Sequence, residues 1–265
     1  VNAIGSTGTT CDSNKVSNGT NYLETSCEVT LPEITAEVGY TVTGWYDNTT
    51  KVGTANEKYQ VTKDVTLTAQ TNINAYAVTY DYATNGGSSA TKTSATVNYN
   101  STIDLSVTAT KSGWTFVGWN TNKNATTALT SLKMGTANVV LYAIYRKEAV
   151  VLTANFDANG ATLSASTKTC TLAAVYNNNN QQTSCSITAP TITRANYTIL
   201  GYNTTVSATT ATVQNSGTIT LTTSNNNSKW YAITTKALSS LTVTLSDTTY
   251  TYDGSEKKPT VAVKD

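Results

Sequence analysis

The stretch "GWTFVGWN", residues 113–120, decides the fold of this chain, because two other stretches repeat it. They are "GYTVTGWY" at 39–46 and "NYTILGYN" at 196–203. A Tyr-Ala pair follows each stretch, at 76–77, 142–143 and 231–232. Two of the copies also open with a strand-like run that ends in Asn-Gly, which is a signal for a hairpin turn. The chain is therefore predicted to contain three copies of one small β unit.

The aromatic stretch is predicted to be a strand that packs its large side chains into a core. Successive strand residues point to opposite faces, so Trp114 and Phe116 are expected on one face and Trp119 on the other. A glycine precedes the last aromatic in every copy, where it indicates a bulge or a close approach of two backbones. A position that recurs in this way favours packing over a binding platform. The predicted core residues are Trp45, Trp119, Tyr202, Trp114 and Phe116, with Gly44, Gly118 and Gly201 beside them.

Composition favours an all-β fold, or a β-rich α+β fold, and argues against several functions. Only 12% of the residues are charged and the net charge is +1, so the chain lacks the basic surface that binds nucleic acid. It contains no histidine, the commonest general base and metal ligand. No apolar run reaches the length of a membrane span. We therefore expect a protein that is not an enzyme, with no catalytic residue, no cofactor, no metal and no membrane insertion.

The four cysteines form two pairs of nearly equal spacing, Cys11 with Cys27 and Cys170 with Cys185, and each pair ends in Thr-Ser-Cys. The simplest interpretation is two disulfides, each closing a polar loop and contributing about 3 kcal/mol in the chain-entropy model. A zinc site is disfavoured, because there is neither a CxxC spacing nor a histidine. Free buried thiols are the other alternative. Disulfides would indicate an oxidising, extracellular setting.

These features resemble the Listeria–Bacteroides repeat, the internalin B-repeat-like module of bacterial surface proteins. The second unit carries the motif most completely, in Asn85-Gly86-Gly87, in 113–119 and in Leu141-Tyr142-Ala143. It departs from the motif at Ala109, near the position where the motif has a proline, and at Tyr145, where the motif has a tryptophan. The other two units keep Pro32 and Pro190 but add the cysteines. The resemblance implies β-grasp-like modules on a secreted or cell-wall-anchored protein.

Module boundaries are predicted at 1–77, 78–147 and 148–235, with the first module lacking its opening strand. The junctions are short and contain no Gly or Pro, which favours an elongated string of modules. The tail, 236–265, looks like the start of a bacterial Ig-like β domain, with Asp253-Gly254 as a hairpin turn.

Two classes of function fit these features. The first is a non-enzymatic stalk or spacer in a bacterial surface adhesin. The second is a module that binds a protein or glycan of a host or neighbouring cell through its variable loops, and an exposed cluster of Trp114, Tyr22 and Tyr176 would favour it. An accessory region of a secreted enzyme is a further alternative, and an exposed edge strand leaves self-association into a filament open.

Other polar residues give no sign of a site. The scattered carboxylates are expected to solvate turns, and the "NNNN" at 177–180 is expected to be a polar loop. These carboxylates are Asp47, Asp64, Asp81, Asp104 and Asp157.

Overall fold

The computed structural model describes residues 3–4, 15–17, 22–24, 27–237, 242–246 and 248–264. The chain divides into two compact units. Residues 1–146 and 176–178 form the first unit, and residues 147–175 and 179–265 form the second. The described part is built from short strands, and its one helical segment is the 3₁₀ turn Thr223–Asn225. No helix in this part has the length and apolar character that a membrane span requires.

The first repeat contains a three-stranded antiparallel sheet in the order β7-β6-β9, flanked by two-stranded ribbons β1–β5, β2–β3 and β4–β8. Its strands are β1 (Ala3–Ile4), β2 (Lys15–Ser17), β3 (Tyr22–Glu24), β4 (Cys27–Thr30), β5 (Thr35–Ala36), β6 (Tyr40–Asp47), β7 (Thr50–Gly53), β8 (Lys58–Val61) and β9 (Thr68–Ile73).

The second repeat forms a mixed sheet in the order β12-β10-β15-β14, with a ribbon of β11 and β13 beside it. The two central strands, β10 and β15, run parallel, and the outer strands pair with them antiparallel. The strands are β10 (Ala75–Asp81), β11 (Ser89–Ala90), β12 (Ser94–Asn98), β13 (Ala109–Thr110), β14 (Thr115–Asn120) and β15 (Val139–Lys147).

The third repeat has the same topology, in the order β18-β16-β24-β22, with ribbons β17–β21 and β20–β23. Its strands are β16 (Val150–Asp157), β17 (Thr162–Leu163), β18 (Thr167–Leu172), β20 (Ser184–Thr188), β21 (Ile192–Thr193), β22 (Thr198–Asn203), β23 (Thr218–Thr222) and β24 (Ser228–Thr235). The short strand β19 (Val175–Tyr176) comes between β18 and β20 in the chain but joins the sheet of the second repeat, where it pairs with β15. A parallel central pair with antiparallel outer strands is the β-grasp-like arrangement, so the predicted fold class is confirmed.

In the tail, β25 (Thr242–Leu245) pairs antiparallel with β26 (Val261–Lys264). Between them Gly254 has a φ of +86°, and the Asp253 carboxylate accepts a hydrogen bond from the Ser255 amide. The Ig-like assignment of this tail stays a prediction.

The register of the closing strand corrects the sequence alignment of the first repeat. Trp119 lies opposite Ala143 and Tyr202 opposite Ala232, while Trp45 lies opposite Ala69. The Tyr76-Ala77 pair instead lies in β10, the first strand of the second repeat. The prediction that Tyr76-Ala77 is the Tyr-Ala pair of the first repeat is therefore wrong. Because β9 ends at Ile73 and β10 begins at Ala75, the Tyr-Ala pair of β10 lies close to the position expected for the pair of the first repeat.

The aromatic strand carries a bulge that corrects the predicted alternation of faces. The pairing register shifts between Phe116 and Gly118, and at the equivalent glycines of the other repeats. Gly118 has a φ of +141°, a conformation that L side chains rarely adopt. The extra residue brings Phe116 and Trp119 to the same face, where their rings meet edge to face at 5.5 Å. The prediction of opposite faces was wrong because it assumed an unbroken pleat.

Candidate functional site

The aromatic slot of each repeat, held by Trp45, Trp119 and Tyr202, lies in the interior. The exposed fractions of these side chains are 8%, 1% and 0%. Each donates a hydrogen bond to a main-chain carbonyl of its own repeat: Trp45 Nε1 to Pro32 O at 2.9 Å, Trp119 Nε1 to Val107 O at 2.6 Å, and Tyr202 Oη to Pro190 O at 2.9 Å. A buried indole or phenol needs such a partner, because an unpaired donor would carry its full desolvation cost.

These bonds also identify the proline slot of the second repeat. Val107 accepts the bond that Pro32 and Pro190 accept elsewhere, whereas Ala109 lies further on, in β13. The slot therefore needs a main-chain carbonyl in a fixed place, and the second repeat supplies it without proline.

Trp114, the aromatic that would begin a binding platform, is half-buried. The Lys111 ammonium lies 4.0 Å from the centre of its ring, a cation–π contact. The third repeat has the same arrangement, with the Arg194 guanidinium 3.6 Å from the ring centre of Tyr197. Tyr176 is also half-buried, and the side chain of Tyr22 lies outside the described residues.

The disulfide Cys170–Cys185 is present and joins β18 to β20, with a Cα–Cα distance of 6.0 Å. This confirms the predicted pairing in the third repeat. The predicted Cys11–Cys27 bond depends on Cys11, which lies outside the described residues. The backbone of Cys27 lies opposite Val61 in β8, as that of Cys185 lies opposite Leu221 in β23.

Asp81, Asp104 and Asp157 each accept a hydrogen bond from a backbone amide two or three residues later in the chain, as the turn interpretation predicts. Asp81 accepts hydrogen bonds from the amide and hydroxyl of Thr84. The side-chain and backbone bonds from Ser106 lower the pKa of Asp104, and a hydrogen bond from Lys229 lowers that of Asp157. Carboxylates with a lowered pKa are poor general acids at neutral pH. Within the described residues, no three His, Cys, Asp or Glu side chains come together as a metal site.

Two polar side chains are buried among the described residues, Asn85 at 4% exposed and Asn177 at 7%. Asn85 lies in the Asn-Gly-Gly turn. Its Nδ2 donates to the carbonyls of Ala143 at 2.8 Å and Lys123 at 3.0 Å. Asn159 repeats the first bond in the third repeat, donating to Ala232 O at 3.0 Å. The asparagine of the motif thus ties the opening turn to the closing strand.

Asn177 comes from much later in the chain, yet it belongs to the first compact unit. It occupies a polar cavity lined by Lys111, Lys123, Ala125 and Tyr145, which we call the asparagine socket. Its amide and Oδ1 pair with the carbonyl and amide of Tyr145 at 2.8 and 3.2 Å. Its Nδ2 donates to the carbonyls of Ala125 at 3.0 Å and Lys123 at 3.2 Å. Lys111 Nζ donates to the Asn177 carbonyl, so every polar group of Asn177 is paired.

Electrostatics in the socket follow from burial. Burial lowers the pKa of Lys111. Burial also raises the pKa of Tyr145 to about 12, so this hydroxyl is neutral at physiological pH. The Lys111 cation is compensated by the carbonyls of Asn85 and Asn177 and by the face of Trp114.

No local feature of the sequence indicates the socket, because "NNNN" at 177–180 has the composition of a solvated loop. Asn177 adopts a φ of +57°, which asparagine tolerates better than most residues, but that preference does not distinguish it from its neighbours. Only the contacts with distant residues single it out.

Comparison with known proteins agrees with this architecture. The family model of the Listeria-Bacteroides repeat domain matches residues 6–70 and 76–144. Internalin H of Listeria monocytogenes is 36% identical over 121 residues, which are 44% of this chain and 21% of that protein. The chain thus spans about a fifth of the length of this curated relative. No solved structure matches significantly. The two family matches cover half of the chain and coincide with the first two repeats, and the chain belongs to the Listeria–Bacteroides repeat family.

Proposed function

We propose that this chain is a non-enzymatic, extracellular stalk or spacer segment of a bacterial surface adhesin, either secreted or anchored to the cell wall. The observation that carries the proposal is the aromatic slot. In all three repeats the large aromatic is buried and bonded to its own repeat, so the recurring motif serves the folding of the module. A series of such modules can lengthen a protein without adding catalytic or ligand-binding groups.

Three further features support the proposal. The disulfide Cys170–Cys185 suits an oxidising, extracellular environment. Asp81, Asp104 and Asp157 accept hydrogen bonds from nearby turn residues, which suits a scaffold better than a hydrolase. The similarity to Internalin H covers only a fifth of that protein, so any adhesive partner on a host or neighbouring cell is part of the proposal.

Small-angle X-ray scattering of the oxidised chain tests this function. A compact globule of this length would have a radius of gyration of about 18 Å. We expect a value well above this and a distance distribution with a long tail, since a spacer must hold its ends apart. A radius near the globular value would contradict the stalk and favour a module that works as a compact binding domain.

A further inference from the structure

The opening turns of the second and third repeats each contain an Asn-Gly pair, at 85–86 and 159–160. In such a pair the glycine nitrogen can attack the side-chain amide carbon of the asparagine, because glycine has no side chain in the way and its backbone rotates easily. The asparagine is then converted to aspartate or isoaspartate. In a folded chain, the rate of this reaction depends on how firmly the two reacting groups are held.

In the second repeat both reacting groups are held firmly. Asn85 is 4% exposed, and its Nδ2 donates to two main-chain carbonyls, at 2.8 and 3.0 Å. The attacking nitrogen, that of Gly86, donates to the Ala83 carbonyl at 2.8 Å. Lys111 Nζ donates at 2.9 Å to the Asn85 carbonyl, which belongs to the same peptide bond as that nitrogen. These bonds all oppose the approach of the glycine nitrogen to the side chain.

In the third repeat the same two groups are much less restrained. Asn159 and Gly160 are both exposed. Within the described residues, the Asn159 side chain makes one hydrogen bond, from Nδ2 to Ala232 O at 3.0 Å. No described residue accepts a hydrogen bond from the Gly160 amide, because the turn is closed one residue later, where the Ala161 amide donates to Ala158 O at 2.8 Å. The attacking nitrogen is thus free to move, and one bond restrains the group that it attacks.

The charged neighbours of this turn also favour the attack. Arg194 Nη2 lies 3.3 Å from the position that a Cβ of Gly160 would occupy. A cation beside the glycine stabilises the negative charge that develops as its nitrogen attacks the amide carbon. The Asp157 carboxylate accepts from the Asn159 amide at 2.9 Å and is paired with Lys229 at 2.9 Å, so its own charge is largely offset.

We propose that Asn159 is a site of spontaneous deamidation in the folded protein and that Asn85 is its protected counterpart. The Gly160 nitrogen bonds to Cγ of Asn159 and closes a five-membered succinimide ring. The bond from Cγ to Nδ2 breaks, and Nδ2 leaves as ammonia with the proton of the Gly160 amide. Water then opens the ring, giving aspartate if it attacks the side-chain carbonyl and isoaspartate if it attacks the main-chain carbonyl.

This modification removes the bond that ties the opening turn of the third repeat to its closing strand. The new carboxylate has no hydrogen to donate to Ala232 O, and the two oxygens repel each other. Ala232 lies opposite Tyr202, which is fully buried, so the loosened carbonyl adjoins the core of the repeat. One added negative charge lowers the net charge of the chain from +1 to 0. The third repeat therefore loosens as the protein ages, while the second repeat does not.

Incubation of the oxidised 265-residue chain at neutral pH, followed by digestion in mild acid and mass spectrometry, measures the conversion of both asparagines. The same incubation in urea gives the rate of each site in the unfolded chain. Each hydrogen bond that must break first slows the reaction by up to about tenfold, so we expect folding to slow Asn85 at least about tenfold more than Asn159. Asn159→Gln is the control. Its longer side chain would have to close a six-membered ring, so the acidic species should disappear from ion-exchange chromatography.

Two further measurements test the mechanism and its consequence. Isoaspartate at position 159, detected by methylation with protein isoaspartate methyltransferase, is expected from ring opening, whereas direct hydrolysis gives aspartate alone. In Asn159→Asp, hydrogen exchange should quicken at the Ala161 amide, which closes the turn. Equal protection of the two asparagines, aspartate without isoaspartate, an acidic species that persists in Asn159→Gln, or unchanged exchange in Asn159→Asp would each overturn the proposal. None of these outcomes alters the scattering test of the stalk.

Discussion

The second and third repeats build the same sheet around the same pair of rings but stabilise it differently. In the second repeat Tyr80 meets Trp119 edge to face, with centroids 5.2 Å apart and an interplanar angle of 70°. In the third repeat Phe156 meets Tyr202 at 5.0 Å and 69°. The geometry is retained although both residues differ, which shows that the module requires the contact between two rings rather than a particular side chain.

The difference lies in what surrounds the rings. The second repeat buries more large side chains completely: Trp119, Tyr80, Tyr145, Ile103, Met134, Leu141 and Ile144, against Tyr202, Leu152, Ile192 and Leu221 in the third. The third repeat has the Cys170–Cys185 disulfide, which the second lacks. A small module can thus gain stability from its interior or from a crosslink that restricts the unfolded chain.

The largest expected effect comes from removing the central ring of the cysteine-free repeat. Trp119→Ala should cost about 3–5 kcal/mol, because it leaves a cavity and an unpaired Val107 carbonyl. Hydrogen exchange read by mass spectrometry should show protection lost from 75–146 and kept in the third repeat. Trp114→Ala, which removes a half-buried ring of the same size, is the control and should cost much less. Equal losses in the two variants would contradict the interior placement of Trp119.

Removing the crosslink should have the next largest effect, in the other repeat. Replacing Cys170 and Cys185 together by Ser should cost about 3 kcal/mol, the chain-entropy value for a loop of this length. The same exchange experiment should show faster exchange in β18 and β20, with little change in β10 and β14. If the double variant loosened the second repeat as much as the third, the two strategies of stabilisation would not be separate.

Replacing the glycine before the aromatic slot by alanine should reveal a smaller difference between the two repeats in the free energy of unfolding. Gly201→Ala and Gly118→Ala both force an L side chain to a positive φ, at a cost of about 1–3 kcal/mol. At Gly201 the new methyl would also collide with the backbone carbonyl of Val213, whereas at Gly118 it would meet the Ala128 side chain at 2.5 Å. Thermal unfolding should show the greater loss for Gly201→Ala. Ala128→Gly should recover part of the loss in Gly118→Ala and none in Gly201→Ala.

Much of this fold could be predicted from the sequence because its strongest signals are local. An alternating run before Asn-Gly, a glycine beside an aromatic and an even cysteine spacing each reflect a constraint within a few residues. These signals sufficed for the fold class and for the Cys170–Cys185 bond. The recurring glycine also indicates the bulge, but the effect of the bulge on the side-chain faces of Phe116 and Trp119 depends on the pairing register with β15.

The features that could not be predicted depend on contacts between distant residues. Ala69 and Ala77 both follow strand-like residues, and only the register opposite Trp45 distinguishes them. Val107 has no side-chain property of proline, and its role lies entirely in the position of its carbonyl. Asn177 is one of four consecutive asparagines, and its burial depends on a cavity formed more than fifty residues earlier by Lys123 and Ala125. Such features have no local signature.

The smallest effect on stability is expected at Asn177. This substitution lies in the sequence of the third repeat but should change hydrogen exchange in the second. Asn177→Gly keeps the positive φ and removes only the side chain, so it should cost about 1–2 kcal/mol through the lost bonds to Lys123, Ala125 and Tyr145. Asn179→Gly, at an exposed position of the same loop, is the control. Because the bonds are made within the second repeat, exchange should quicken at the Tyr145 amide although the substitution lies in the sequence of the third. Faster exchange confined to residues 170–185 would mean that the loop itself, and not the socket, holds Asn177 in place.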